Sequence, residues 1–135
     1  MHIATLPRAV LALALLAIPF AAQAGDSAPQ NAAITTQQEL DQALAKATTP
    51  VLVDFHATWC GPCHQLSAEI EKLQKDHPGA LTVVTVDVDQ ANDLARTFNI
   101  EALPTLVLAK QGKVIKRQVG FVTAPELATW AGIAR

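Results

Sequence analysis

The sequence predicts an α/β domain built on a central mixed sheet of about four strands flanked by helices, and three observations carry that expectation. Short runs of β-branched and aliphatic residues alternate with segments of helical period. The last two runs are separated only by the turn-forming stretch Lys110-Gln111-Gly112-Lys113, and a final helical segment closes the chain. Alternation of strand and helix requires crossovers and hence parallel neighbours, whereas a tight turn makes an antiparallel pair, so the sheet has to be mixed.

The first 24 residues stand apart from that domain and read as a signal peptide. Arg8 with His2 gives a weakly basic start, Ala9 to Phe20 is apolar, and Ala22-Gln23-Ala24 places small residues at both cleavage-recognition positions, so removal is expected before Gly25. The apolar stretch is well short of the roughly 20 residues that span a bilayer. Export to a bacterial periplasm follows as an expectation, a compartment where disulfides persist. Residues 25–33 are small and polar, include Pro29, and are expected to form a flexible lead-in to a domain covering 34–135.

Within the domain, Thr36 with Glu39 three residues on makes a capping box. Leu40, Ala43, Leu44 and Ala47 then share one helical face until Thr48-Thr49-Pro50 ends it. Val51-Leu52-Val53-Asp54-Phe55 reads as a strand buried on both faces, interrupted by one carboxylate. After Trp59-Cys60-Gly61-Pro62-Cys63, the spacing of Leu66, Ile70 and Leu73 predicts a second helix to Asp76 that stops before Pro78-Gly79, with Pro62 in its opening turn, where proline loses no needed donor. Leu81 to Val88 is the next strand, Asp89 to Phe98 a short helix, and Leu106 to Ala109 and Val114 to Val119 the hairpin strands. Thr123 and Glu126 cap a last helix with Leu127, Trp130 and Ala131 inward.

Composition narrows the function. Of 135 residues, 50% are hydrophobic and 16% charged, which excludes a polyelectrolyte or a collagen-like repeat and fits one globular domain. Ten Lys plus Arg against twelve Asp plus Glu leave no basic excess to neutralise phosphates, so neither nucleic acid nor an anionic membrane surface is an expected partner. Lys110, Lys113, Lys116 and Arg117 cluster at the hairpin and read as a solvated face.

The chemistry lies in Trp59-Cys60-Gly61-Pro62-Cys63. Two thiols one turn apart at a helix start meet unpaired backbone amides and the positive end of the macrodipole, which favour a thiolate. Cys60, at the very end and expected to be more exposed, would attack a substrate disulfide; Cys63, one turn deeper, would resolve the mixed disulfide. Asp54 in an apolar strand is costly as an anion, and burial should raise its pKa. His64 in the first helical turn would, when protonated, favour the Cys60 thiolate. His77, before Pro78-Gly79, suits a helix end.

The segment from Val53 to Cys63 resembles the active-site segment of thioredoxins. Val86-Asp87-Val88-Asp89-Gln90, Leu103-Pro104-Thr105 and Val119-Gly120-Phe121 extend that resemblance over nearly the whole domain. It implies the thioredoxin fold and a thiol–disulfide oxidoreductase without cofactor or metal that acts on protein substrates as a monomer. It also implies that Asp54 assists proton transfer at Cys63 through water, and that the Leu103–Pro104 bond is cis, against the ordinary preference of X-Pro bonds for trans. The backbone of Leu103 would then pair with an extended substrate, while Trp59, Gly61, Pro62, Pro104, Gly120 and Phe121 complete a shallow contact surface. His56 stands where the family commonly has an aromatic residue, His64 where it has a lysine or arginine, and Thr85 at the position of a lysine near the aspartate. The Gly61-Pro62 pair resembles reducing members, which for an exported protein implies a membrane-embedded electron donor.

Two other readings use the same residues. Cys60-Gly61-Pro62-Cys63-His64 fits the Cys-x-x-Cys-His pattern of c-type haem attachment, although the sole methionine, Met1, lies in the segment expected to be removed. A non-catalytic metal-binding or holdase module is the other; Cys60, Cys63 and His64 supply three soft ligands, fewer than the four of a closed zinc site.

Overall fold

The computed structural model describes residues 30–134, so the signal-peptide segment 1–24 and most of the lead-in lie outside the described residues. The elements are β1 (Ala32–Ala33), α1 (Gln37–Lys46), β2 (Val51–His56), α2 (Gly61–Asp76), β3 (Thr82–Asp87), α3 (Asn92–Thr97), β4 (Thr105–Lys110), β5 (Lys113–Val119) and α4 (Ala124–Ala131). They form a five-stranded sheet in the order β1-β3-β2-β4-β5. β3 runs parallel to β1 and β2, β4 runs antiparallel to β2 and β5, and the predicted mixed sheet is realised.

The strand beyond the expected four is β1. Asn31 donates its N–H to the Val83 carbonyl at 2.7 Å and Ile34 donates to that of Thr85 at 2.8 Å, which stitches Ala32–Ala33 to the open edge of β3. The end of the expected flexible lead-in is therefore part of the sheet. Two alanines carry no period and no β-branched signal; their main chain alone is recruited by an unpaired edge.

Each strand of the central pair divides its side chains between two cores. Val51, Val53 and Phe55 of β2, with Val84 and Val86 of β3, pack under α1 and α3, whereas Leu52 and Val83 pack with Leu66, Ile70 and Leu73 of α2 and Leu127 of α4. Because the strand period is two, Asp54 and His56 share the face of Leu52, and Thr85 and Asp87 share that of Val83. This parity delivers one carboxylate into the core behind α2.

Local signals set the helix boundaries. Glu39 accepts from the Thr35 and Thr36 amides at 2.8 and 3.1 Å, and Glu126 accepts from the Thr123 N–H at 2.9 Å and its hydroxyl at 2.7 Å. These bonds hold both glutamate carboxyls below the usual range. The third helix begins three residues later than expected. Asp87 Oδ1 accepts the Asp89 N–H at 3.0 Å while its carbonyl accepts those of Gln90 and Ala91, so an Asx-type turn occupies the start of the expected segment. Gln111 and Gly112, with φ of 51° and 74°, make the β4–β5 turn left-handed at both central positions, as a two-residue hairpin requires.

Two of the four basic residues at the hairpin, Lys116 and Arg117, are exposed but not merely solvated. Lys116 Nζ donates to the Trp130 carbonyl at 2.6 Å in the last turn of α4, and Arg117 donates to the carbonyls of Phe98 and Asn99 at the end of α3. Cations at helix C-termini satisfy orphan acceptors, and on β5 they also guard an edge that exposes Val114, Ile115 and Val119. On the other side, Glu69 of α2 accepts the Ala124 N–H at 2.6 Å and caps α4 from outside. Glu69→Ala is expected to lower stability by about 1–2 kcal/mol in chemical denaturation; an unchanged denaturation midpoint would show that the bond adds nothing.

Candidate functional site

The site forms where β2 and β3 end and α2 begins. Cys60 is the N-cap of α2, with extended φ and ψ of −89° and 104°, and Pro62 sits in the first turn. The Cys63 N–H donates to Cys60 Sγ at 3.3 Å, so the outer sulfur takes the place of a capping oxygen. Cys60 and Cys63 are joined in a disulfide, their Cα atoms 5.3 Å apart. Once the pair is reduced, charge on Cys60 Sγ faces the helix amino end, the position that stabilises it.

Exposure does not distinguish the two sulfurs as expected. Cys60 is 5% exposed and Cys63 3%, because both pack with Ala57, Val88 and Leu103. Access separates them instead: Cys60 lines the open groove beside the disulfide and Cys63 does not. That groove, about 590 Å³, runs between Trp59, Gly61 and Pro62 on one side and Ile100, Ala102 and Leu103 on the other, with Val88 and Asp89 along it. Trp59 is 71% exposed, and its indole N–H is fixed on Asp89 Oδ2 at 2.8 Å.

Of the expected contact residues, Trp59, Gly61, Pro62 and Leu103 line the groove, and Pro104 and Gly120 do not. Pro104 is buried; its peptide bond with Leu103 is cis, and its carbonyl accepts the Gly120 N–H at 2.8 Å. Gly120, half-buried at φ 89°, thereby ties the end of β5 to the Pro104 segment. Phe121 is exposed, outside the groove lining. Val88, Asp89, Ile100 and Ala102 are among the groove residues that were not anticipated as contacts, with Asn92, Ala95 and Glu101. A signal for the first two existed, since ligand crevices open at the carboxyl ends of parallel strands.

Asp54 is 2% exposed, and its Oδ1 has no hydrogen-bond partner. Desolvation pushes its pKa up to about 6, against the opposing charge of His56. It borders a second cleft of about 180 Å³ between α2 and β3, lined also by Ser67, Glu71, Gln74 and Thr85, with volume for several waters. Ser67 Oγ donates to the Cys63 carbonyl at 3.0 Å, so this cleft reaches the turn of α2 that carries the inner cysteine.

His64 Nε2 lies 2.9 Å from the Thr58 carbonyl, which requires a proton on that nitrogen. The ring thereby ties the first turn of α2 to the loop preceding Cys60. That engagement, with the two sulfurs bonded to each other, lends no support to haem attachment. His56 is half-buried on β2 beside Asp87, and His77 is the C-cap of α2. Among the described residues, no three His, Cys, Asp or Glu side chains are grouped to hold a metal.

Comparison with known proteins agrees with this geometry. The family model described as Thioredoxin matches residues 31–132. Thioredoxin C-2 of Corynebacterium nephridii is 38% identical over 96 residues, covering 71% of this chain and 89% of that protein. The thioredoxin of Mycoplasmoides gallisepticum is 40% identical over 94 residues, covering 70% and 92%. The solved structure of a mutant thioredoxin from Halobacterium salinarum superposes with a TM-score of 0.70 at 31% identity, over 78% of this chain and 90% of that one. With a cysteine pair joined at the head of α2 and a family match across the whole described domain, the chain belongs to the thioredoxin family and is a thiol–disulfide oxidoreductase.

Proposed function

We propose that the protein is an exported, periplasmic reductase of protein disulfides, acting as a monomer and recharged by a membrane-embedded electron donor. The observation that carries the chemical part is the placement of Cys60 at the α2 N-cap and on the groove while Cys63 lies off it, one turn along the helix. The reduced Cys60 thiolate attacks one sulfur of a substrate disulfide. A Cys60–substrate bond forms, the substrate S–S bond breaks, and the electron pair leaves on the other substrate sulfur, which takes a proton from water. Cys63 then passes its proton through water to Asp54 and attacks Cys60 Sγ. The Cys60–Cys63 bond closes, and the second substrate sulfur departs as a thiolate. Two electrons have moved from the protein dithiol to the substrate, leaving the disulfide form.

The groove gives the substrate its footing. Among the described residues no main-chain hydrogen bond engages Leu103, which leaves its backbone open to an extended substrate segment, while Trp59 and Pro62 offer apolar contact. His64 acts as a positioning residue through Thr58, and its charge, when present, adds to the field at Cys60. Export is supported by Arg8, the apolar Ala9 to Phe20 and Ala22-Gln23-Ala24. A reductant outside the cytoplasm needs electrons delivered across the membrane, hence the proposed donor.

The deciding measurement is the reduction potential of the Cys60/Cys63 pair against glutathione or dithiothreitol buffers. A value near about −270 mV, ordinary for thioredoxins, is expected of a reductase. A value near about −120 mV would make the protein an oxidant and overturn the proposed direction. Recovery of a chain beginning at Gly25 from the periplasmic fraction is the expected result for export.

A further inference from the structure

Asp54 is a buried carboxylate with one oxygen unpartnered, an arrangement that penalises the ionised form unless a positive charge stands nearby. The groups that face it come from three elements. From α2, across the cleft, there are Glu71 and the neutral Ser67 and Gln74, with Cys63 one turn before Ser67 and held in the disulfide; from β3, the hydroxyl of Thr85 directly beside it and the carboxylate of Asp87 one pleat further; from β4, the apolar Leu106. On β2 itself, His56 lies two residues along the same face. Of these groups His56 alone can carry positive charge.

Register makes this a row. Asp54 pairs with Thr85 and His56 with Asp87, so the imidazole is half-exposed between the buried carboxylate and the half-buried Asp87 at the strand ends. No direct ion pair closes the row among the described residues, so the interaction acts through space and through water.

We propose that His56 is a positioning residue of the resolving step, its imidazolium stabilising the Asp54 carboxylate so that Asp54 is ionised, and able to take the Cys63 proton, at a lower pH than burial alone would permit. This rests on the reading of Asp54 as the acceptor of that proton. The direction of the charge effect agrees: the His56 charge opposes the upward push of desolvation on Asp54. An opposite charge about one strand repeat away, partly screened by water, shifts a carboxyl by a fraction of a unit to about one unit.

The test follows the Asp54 side-chain carboxyl by ¹³C NMR in the oxidised protein, where neither cysteine titrates. His56→Asn is expected to raise the Asp54 midpoint by about half a unit or more, and His56→Lys, which restores a cation, is expected not to raise it. In single-turnover resolution of a Cys60-linked mixed disulfide, the acid limb of the pH–rate profile should move upward with His56→Asn in parallel. An Asp54 midpoint unmoved by His56→Asn, or raised equally by both variants, overturns the proposal. Asp54→Asn separates the two claims. If it leaves the resolution rate and its pH profile unchanged, the role of Asp54 as proton acceptor fails; if it slows resolution while His56→Asn leaves the midpoint in place, only the assignment to His56 fails.

Discussion

Asp54→Asn is expected to make the protein more stable above neutral pH and a slower thiol–disulfide oxidoreductase at the same time. The carboxyl is 2% exposed with an unpartnered oxygen, and burial lifts its pKa from 3.8 to about 6. A group whose pKa is raised by folding binds more protons in the folded state. Its stabilising contribution is therefore complete below pH 3.8 and is lost as pH climbs through about 6. At about 1.36 kcal/mol per unit, the loss is on the order of 3 kcal/mol. The amide cannot ionise, so the variant escapes that loss but must leave part of its own hydrogen-bonding capacity unmet, and a net gain of about 2 kcal/mol at pH 7 to 8 is expected. The gain should vanish below about pH 4. Chemical denaturation of both proteins across pH 4 to 8 checks this; a difference that does not depend on pH would mean that the carboxyl does not titrate as its burial requires. Resolution of the mixed disulfide should slow by about 10²-fold, the ordinary loss when a positioned proton acceptor is removed.

The two cysteines should fail differently when replaced by serine. Cys60→Ser places a hydroxyl at the α2 N-cap, where it can still accept the Cys63 amide, so the fold is kept. Reduction of insulin should fall by on the order of 10³-fold or more, because a neutral hydroxyl cannot replace the thiolate nucleophile. Cys63→Ser keeps the attacking sulfur and removes the one that releases the product. Covalent adducts with substrate should accumulate, visible as a mass increment that reductant reverses. Adducts on Cys60→Ser but not on Cys63→Ser would invert the assigned order of attack.

The residues differ in how far they betray their place. Thr36 with Glu39 and Thr123 with Glu126 mark helix starts because capping is a bond between residues three apart, and Pro62 does so because the first turn needs no donor from it; all three are realised. The burial of Asp54 was legible as well, since it interrupts a run buried on both faces. Ala32–Ala33 could not be read as a strand, because its bonds belong to the edge of β3. Asp89 lies in a turn and not a helix, because the carboxylate of Asp87 competes for its amide. The near-equal burial of Cys60 and Cys63 escaped the linear order for the same kind of reason: Val88 and Leu103, distant in sequence, close over both.

The linear order of residues was sufficient for the dithiol and for the helix that presents it, since both depend on short-range spacing and on the hydrophobic period; the family was legible only as a resemblance of the segments around Cys60, Asp87, Pro104 and Gly120. The groove, the holding of Pro104 by Gly120 and the row from Asp54 to Asp87 exist only because strands far apart in the chain are laid side by side. Solvent exclusion and through-space charge are properties of that assembly, and they leave Cys60 on the groove and Asp54 buried with an unpartnered oxygen.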